Sequence, residues 1–421
     1  MVLPAIDVDM RRDGATTDQQ TRRRAWLLVG VISLSVGLVL REHGWWRGTS
    51  WLLGMYLVWS VALPCLLVLF GPRRLVVPIA LVATIIPMLF ALNANLTADG
   101  SDRLQIHDGG VIATQTAATL ARHGHDPYEA DFRAELGPLW QRLPVGNGSI
   151  DNPLADHYPY LPLSFLVMVP LDAVAGAFGA RFDPRVLYGA IVIATLIALA
   201  RRCQYSPWAR AAAICALGGG VTRVFLAWGT NDAAGACCFV LAVLGARRRP
   251  RLAGALLAVA ISFKFLFMVP AVALAAWVYG NGGVAALRRW WTTPALLAGS
   301  ILPFVVMAPG AFIDDAVLFN LGLTIPRFPT SGIGLPAVLP SVFEGPVLLV
   351  TSVGLAIVAI VVAVKLTRRR PTEAMVGVAS AIALAGVLVP ARTFQQAYLT
   401  MLVVLASVAW LALDRAPVER G

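Results

Sequence analysis

The residues best suited to chemistry are concentrated in one polar stretch, residues 95–159. It holds nine of the 23 acidic residues and four of the five histidines, with four arginines and no lysine. A connection between packed helices needs only about 2–8 residues, so a stretch of this length indicates a functional element. Its carboxylates are groups that can take a proton from a reacting hydroxyl. The alternative is a solvated cap that tolerates acidic residues because it faces water.

Three short motifs stand at the start, the middle and the end of this stretch. Each contains a histidine, and in the first two an aspartate stands beside glycine or proline. The pattern between the first and the second motif predicts an amphipathic helix over Gly110–Arg122. The motifs are His107-Asp108-Gly109-Gly110, Gly124-His125-Asp126-Pro127-Tyr128 and His157-Tyr158-Pro159-Tyr160-Leu161-Pro162.

The rest of the chain is strongly apolar. Of 421 residues, 58% are hydrophobic and 14% are charged, and the mean hydropathy is +0.73. Soluble domains have about 45–50% apolar and about 25% charged residues, which excludes a water-soluble enzyme and a nucleic-acid-binding domain. The net charge of +11 comes from arginine clusters between apolar segments, where they set the topology of a polytopic membrane protein. The five cysteines lack the paired spacing of a zinc site, so no metal ligands are assigned.

The arginine clusters predict how the chain crosses the membrane. Such clusters stay in the cytoplasm, which places the polar stretch outside and both ends inside, with twelve crossings preferred. Leu161–Phe178 is then either re-entrant or an exception to this rule. The predicted divisions are a cytoplasmic tail at 1–24, three transmembrane helices at 25–93, an extracytoplasmic catalytic loop at 94–159, a transmembrane bundle at 160–413 and a cytoplasmic tail at 414–421.

Lys264 is one of only two lysines, and it interrupts the apolar segment Leu252–Val269. Because Arg251 and Arg288 on either side both belong in the cytoplasm, the chain must enter and return between them. This predicts two short helices that meet at Lys264 on the outer side. An ionisable residue inside an apolar segment indicates a functional site; the alternative is a lysine that snorkels to the interface.

In their types and order, these motifs resemble the GT-C class of glycosyltransferases. The closest resemblance is to the family that uses polyprenyl-phosphate sugars and is related to bacterial α-mannosyltransferases and arabinofuranosyltransferases. It runs from Asp108 to Arg289 and includes Trp228-Gly229-Thr230-Asn231-Asp232 and the predicted helix pair around Lys264. It implies an all-α polytopic membrane protein, a GT-C-like bundle of about twelve transmembrane helices. The large first extracytoplasmic loop would carry amphipathic helices.

The resemblance also implies an activity and its partners. The protein would transfer a sugar, mannose or arabinofuranose, from a polyprenyl-phosphate donor to a glycolipid or glycan acceptor of the cell envelope. The active site would face the outside of the plasma membrane. The partners would be the donor, the acceptor and membrane lipids, without nucleic acid, and no cofactor is indicated.

Such a transfer needs one carboxylate to deprotonate the acceptor hydroxyl and cationic groups to bind the departing phosphate. Asp108 is the candidate base, because it follows an apolar segment on the outer side and adjacent glycines allow a substrate to approach closely. Its alternative role is the N-cap of the following helix. Asp102 is the competing carboxylate.

Seven further residues are candidates for substrate binding, and all of them except Tyr128 have a structural alternative. Asp126 precedes a proline, as turn residues do. The tyrosines and the histidine of the third motif either stack on a sugar or line the membrane interface. Asn231 and Asp232 either line the site or make a tight turn. The candidates are Asp126, Tyr128, His157, Tyr158, Tyr160, Asn231 and Asp232.

Three basic residues are candidates for binding the lipid phosphate: Lys264, Arg327 and Arg392. The two arginines are predicted on the outer side, where basic residues are depleted; their alternative role is an ion pair with the acidic loop. Two other functions compete with sugar transfer. One is a transporter or flippase for a lipid or a lipid-linked sugar, although no internal repeat typical of transporters is evident. The other is a non-catalytic scaffold of envelope synthesis.

Overall fold

The computed structural model describes residues 74–96, 109–145, 148–324, 330–340, 342, 345–369 and 371–414. Within these ranges the protein is mostly helical, with little sheet. Several predictions fall outside the described residues: those for Asp108, Asp102 and Arg327, for the first two transmembrane helices, and for the tails at 1–24 and 415–421.

Local sequence signals start many of the helices. Proline occupies the first position of the helices at Pro184, Pro207 and Pro250, where its missing N–H is not needed. Asp183 and Ser206 cap two of these helices through a side-chain oxygen that accepts a backbone N–H. The predicted helix over Gly110–Arg122 is confirmed. The α-helices are Val76–Leu96, Gly110–Arg122, Arg133–Trp140, Leu163–Leu166, Val169–Ala177, Pro184–Ala200, Pro207–Leu217, Gly220–Ala227, Asp232–Gly245, Pro250–Phe263, Met268–Arg288, Thr292–Met307, Pro309–Ile313, Phe319–Leu321, Leu335–Val338, Gly345–Arg369, Glu373–Leu388 and Leu399–Ser407.

Short strands and tighter turns connect these helices. Arg142–Val145 pairs antiparallel with Gly148–Asp151 within the polar stretch, and Ser331–Gly332 pairs in parallel with Thr393–Phe394. The segment Asp314–Leu318 is a π-helical turn. Turns of 3-10 helix occur at Pro127–Glu129, Pro153–Ala155, Phe265–Phe267, Gln396–Tyr398 and Val408–Asp414.

Four helical stretches of the described residues are long and apolar enough to cross a membrane: Val76–Asn93, Pro207–Ala227, Phe265–Arg288 and Val350–Arg369. Three of them expose large apolar side chains such as Phe90, Met268 and Val350, as expected for a surface that contacts lipid. The other apolar helices in these ranges have only 10–17 residues, fewer than the roughly 20 that span a bilayer. The preferred count of twelve crossings is therefore not confirmed.

Contacts between helix ends define one arginine-rich side of the bundle. The Arg247 guanidinium donates to the Asn281 amide oxygen (2.9 Å), and the Thr292 hydroxyl donates to the Arg251 carbonyl (2.7 Å). Lys264 lies at the other end of the helix that begins beside Arg251, about 20 Å away for 14 residues. We call the arginine-rich side the basic end; it comprises Arg201, Arg202, Arg247, Arg248, Arg249, Arg251, Arg288 and Arg289.

Helix Asp232–Gly245 forms the centre of the bundle. Nearly all of its side chains are buried, and it packs against Pro184–Ala200, Pro250–Phe263 and Leu399–Ser407. A cation or a carboxylate at the start of such a helix is held at a fixed place, because the close-packed neighbours leave it little freedom. The central helix therefore positions the candidate site at its first residue.

Candidate functional site

Lys264 marks a break between two helices. Helix Pro250–Phe263 ends at the preceding residue, and a short turn over Phe265–Phe267 leads into helix Met268–Arg288. The Lys264 N–H still donates to the Ala260 carbonyl at 3.1 Å, but the backbone of Lys264 is extended, with φ −151° and ψ 113°, and ends the helix. The helix break predicted at Lys264 is confirmed, whereas the second helix, Met268–Arg288, has 21 residues and is not short.

The Lys264 ammonium contacts one carboxylate and two aromatic rings. Its Nζ lies 3.2 Å from Asp232 Oδ1, 4.6 Å from the centre of the Tyr398 ring and 5.6 Å from that of Tyr160. Distances below about 6 Å to a ring centre allow a cation–π attraction. The Asp232 side chain is 1% exposed and the Lys264 side chain 14%, so the lysine retains more access to a ligand. We call these four residues the Lys264 cluster.

A tight turn places Asp232 in this cluster. Gly229 has a φ of +82°, and a Cβ at this position would lie 2.7 Å from Val111 Cβ, so the turn requires glycine. Asn231 donates through Nδ2 to the Phe263 carbonyl at 2.8 Å, which joins the start of one helix to the end of another. The Asp232 carboxylate lies in the first turn of its helix, where the helix dipole favours a negative charge.

The end of the polar stretch brings Tyr160 to the same place. The Tyr128 hydroxyl donates to the Tyr160 carbonyl at 2.7 Å, and the Leu161 N–H donates to the Ser262 carbonyl at 3.3 Å. These two bonds tie the third motif to the helix end beside Lys264. The cluster thus combines a cation that can bind an anion with ring faces of the kind that stack on sugars.

His157 and two aspartates form a second polar group. His157 Nδ1 lies 2.7 Å from Asp315 Oδ1 and 3.6 Å from Asp314 Oδ2, and Asp315 Oδ2 accepts the Tyr158 N–H at 2.8 Å. The aspartates lie in the π-helical turn, a conformation that is frequent at functional sites. The imidazole and the two carboxylates each offer one ligand atom within 4.8 Å of the others, so they have donors suited to a divalent metal ion.

The hydrogen bond and the burial of this group shift both pKa values. The bond to Asp315 raises the pKa of His157 above its ordinary 6.5, and burial opposes this rise. Burial raises the pKa of Asp315, although its hydrogen bonds with His157 and the Tyr158 N–H act in the opposite direction.

We expect the contribution of His157 to the thermal stability of the protein to be lost as the pH rises above about 6.5. A histidine whose pKa is raised by folding stabilises the folded state below its unfolded pKa of 6.5, and this contribution is lost as the pH passes the folded value. His157→Gln should flatten the dependence of Tm on pH over this range. His125→Gln, at an exposed histidine, is the matched control; if both variants keep the wild-type slope, the His157 contact does not contribute.

Two of the candidate tyrosines are core residues. Tyr128 is 3% exposed, and its ring meets Phe304 and Phe312 edge-on with centroids 5.5 and 5.0 Å apart. Tyr158 is fully buried, and its hydroxyl lies 2.7 Å from that of Ser164. Burial raises the pKa of both hydroxyls. Because both rings are buried, neither is accessible to a sugar or to the membrane interface. Tyr158 therefore occupies neither of the two positions that the sequence suggests for it.

Asp126 has one oxygen in a turn and one without a partner. Its Oδ1 accepts the Tyr128 N–H at 2.9 Å, as the turn interpretation predicts. Its Oδ2 is buried and has no hydrogen-bond partner among the described residues, and burial raises the pKa of the carboxyl. A carboxylate with a raised pKa and a free oxygen is suited to take a proton, so Asp126 stays a candidate for substrate contact.

The remaining candidates are Arg392, which the structure describes, and Asp108 and Arg327, which lie outside the described residues. Arg392 donates through Nε to the Thr330 hydroxyl at 3.1 Å, and the chain after it carries Tyr398 to Lys264. Helix Gly110–Arg122 has Gly109 at its N-cap position, with φ +88°, so that position does not belong to Asp108.

The residues chosen from the sequence do not include Asp314, Asp315 or Tyr398. For the aspartates a signal was present, because no acidic residue occurs between Asp232 and Asp314, and an adjacent pair of acids at the end of such a stretch is conspicuous. For Tyr398 no local signal distinguishes it from other tyrosines at the start of apolar segments. Its contact with Lys264 exists only in the folded chain.

Comparison with protein-family models, curated proteins and solved structures finds no match to this chain.

Proposed function

We propose that the protein is an integral membrane glycosyltransferase that uses a polyprenyl-phosphate sugar donor. It transfers mannose or arabinofuranose to a glycolipid or glycan acceptor at the extracytoplasmic face of the plasma membrane. The observation that carries this proposal is the Lys264 cluster, a nearly buried cation at a helix break, framed by two tyrosines and tied to the end of the acidic stretch.

Lys264 is suited to bind the phosphate of the lipid donor. A charged side chain at the centre of a bilayer costs about 2.5–3.5 kcal/mol on insertion scales, and such residues are retained at functional sites. Asp232 offsets part of this cost. A lipid phosphate at the membrane surface is a second partner that matches the ammonium, because charge-assisted hydrogen bonds to phosphate are short and strong.

The donor sugar and the proton of the acceptor hydroxyl need further residues. Tyr160 lies between the acidic stretch and Lys264, so a sugar attached to a phosphate at Lys264 would lie beside this ring. The acceptor hydroxyl must lose its proton as the anomeric carbon is attacked, and one carboxylate suffices for that step. Asp108 is the proposed base, and the leaving phosphate departs as an anion that needs no acid.

A lipid transporter is the second candidate, and the same ion pair favours it. Intramembrane pairs of charged residues and broken helices also occur in transporters. A transporter would not need the long polar stretch with its nine acidic residues. The scaffold interpretation uses neither feature, and it expects both Asp108 and Lys264 to be replaceable.

The proposal is tested by incubating the purified protein with polyprenyl-phosphate mannose or polyprenyl-phosphate arabinofuranose and lipid acceptors. We expect mass spectrometry to detect acceptor that has gained one sugar. The same protein in proteoliposomes, assayed for movement of labelled donor between leaflets, tests the transporter. Flipping without transfer would replace the proposal with the transporter, and absence of both activities would leave the scaffold.

The proposed topology predicts which residues can be labelled from outside the cell. In a Cys203→Ser background, which removes an exposed native thiol, Ser149→Cys should react with a membrane-impermeant maleimide in intact cells, because Ser149 is exposed in the acidic stretch. Thr16→Cys and Gly14→Cys should react only after the cells are broken. Labelling of either tail site in intact cells would reverse the orientation.

A further inference from the structure

A cleft lies between helices near the basic end. It has a volume of about 520 Å³ and is lined by helix Pro250–Phe263, by helix Met268–Arg288 and by the start of helix Thr292–Met307. Leu257, Leu274 and similar apolar side chains form its walls. This volume lies within the range of about 300–1,000 Å³ that is typical of small-molecule sites.

The chain bends where it enters the rim of this cleft. Gly282 and Gly283 have non-helical dihedral angles, so the helix is kinked six residues before Arg288. The segment after the kink contributes Arg288 and Trp291 to the lining, and Trp291 is 54% exposed. Tryptophan and arginine side by side are typical of the level of the lipid headgroups. The rim therefore has residues typical of a membrane interface, and the walls have apolar residues typical of the membrane interior.

Arg288 gives the rim of the cleft a positive charge. No aspartate or glutamate occurs between Asp232 and Asp314, whereas the basic end supplies Arg251, Arg288 and Arg289 from this part of the chain. Among the described residues, no acidic side chain forms an ion pair with Arg288 or Arg289, and both are exposed. The rim thus offers the Arg288 guanidinium to an anion from outside the protein.

We propose that this cleft binds one anionic phospholipid, with its phosphate at Arg288 and an acyl chain between the helices. The inference rests on the membrane location but not on sugar transfer. Basic pockets between transmembrane helices on the cytoplasmic side are suited to anionic headgroups. The polyprenyl-phosphate donor is a different ligand, because a phosphate at Lys264 lies about 20 Å from the basic end and leaves Arg288 unoccupied.

Native mass spectrometry of the full-length protein tests this proposal. The protein in detergent is incubated with phosphatidylglycerol or with phosphatidylcholine of the same acyl chains. We expect the wild type to retain phosphatidylglycerol preferentially, and Arg288→Gln to lower that preference about fivefold. Arg248→Gln is the matched control, because Arg248 is an exposed arginine of the basic end outside the cleft lining.

A second variant tests the cleft itself. Ala275 is exposed and lines the cleft, so Ala275→Phe should fill it without entering the core and should reduce retention of phosphatidylglycerol while Arg288 remains. Equal retention of the two lipids by the wild type would overturn the proposal. So would unchanged binding in Ala275→Phe, which would mean attraction of headgroups to the surface alone. Displacement of phosphatidylglycerol by polyprenyl phosphate through an Arg288-dependent contact would assign the cleft to the carrier lipid instead.

Discussion

Lys264→Met should weaken donor binding strongly and also lower the stability of the protein. The substitution removes the ammonium that would bind the lipid phosphate, a loss of about 1.5–3 kcal/mol or roughly 10- to 150-fold in affinity. It also leaves Asp232, whose side chain is 1% exposed, as a buried carboxylate without its cation. Breaking a buried pair in this way costs about 3–5 kcal/mol. The single variant therefore does not separate the loss of donor binding from the loss of stability.

A pair of companion variants separates these effects. Asp232→Asn removes the carboxylate, so combining it with Lys264→Met leaves no buried charge in this pair and should restore much of the lost Tm. The double variant should still bind polyprenyl-phosphate sugar roughly 10- to 150-fold more weakly than the wild type in a direct binding assay, while Asp232→Asn alone should retain binding. Arg392→Gln should weaken binding more mildly.

One outcome would remove Lys264 from the site. If the double variant folds and binds the donor with wild-type affinity, the Lys264–Asp232 contact is only a structural ion pair. The phosphate site would then lie elsewhere, and Arg392 would be the next basic residue to test.

Asp108→Asn should reduce sugar transfer by about 10²–10⁴-fold, the usual contribution of a general base. The amide has nearly the same shape but cannot accept the proton of the acceptor hydroxyl. Expression and membrane insertion should be unchanged. The assay is turnover of polyprenyl-phosphate sugar by purified protein, with donor binding measured in parallel to show that the donor site is intact.

Asp102→Asn is the matched control, because it removes a neighbouring acid of the same stretch. Near-normal turnover in Asp108→Asn together with loss of turnover in Asp102→Asn would exchange their roles. If both variants are active, Asp126 becomes the candidate base, since its Oδ2 is buried without a partner among the described residues and burial raises its pKa. Asp126→Asn, which keeps the oxygen that caps the turn, would test that assignment.

The local elements of this protein are encoded in short stretches of its sequence. Helix Gly110–Arg122 has the bounds that its amphipathic pattern predicts, and the chain breaks at Lys264 where a lysine interrupts an apolar run. Such features depend on neighbours within a few residues along the chain, so hydrophobic periodicity and chain-breaking residues are sufficient to locate them. The mostly helical, apolar character of the chain follows from the same information.

The partners of the chemically active groups were decided by tertiary structure. His157 meets Asp315 across 158 positions, and Tyr398 reaches Lys264 from near the end of the chain. The burial of Tyr158 likewise depends on packing against other segments. A periodic pattern states which side of a helix is apolar but not which other helix will cover it. The sequence therefore located Lys264, and only the packed bundle determined which carboxylate and which aromatic rings surround it.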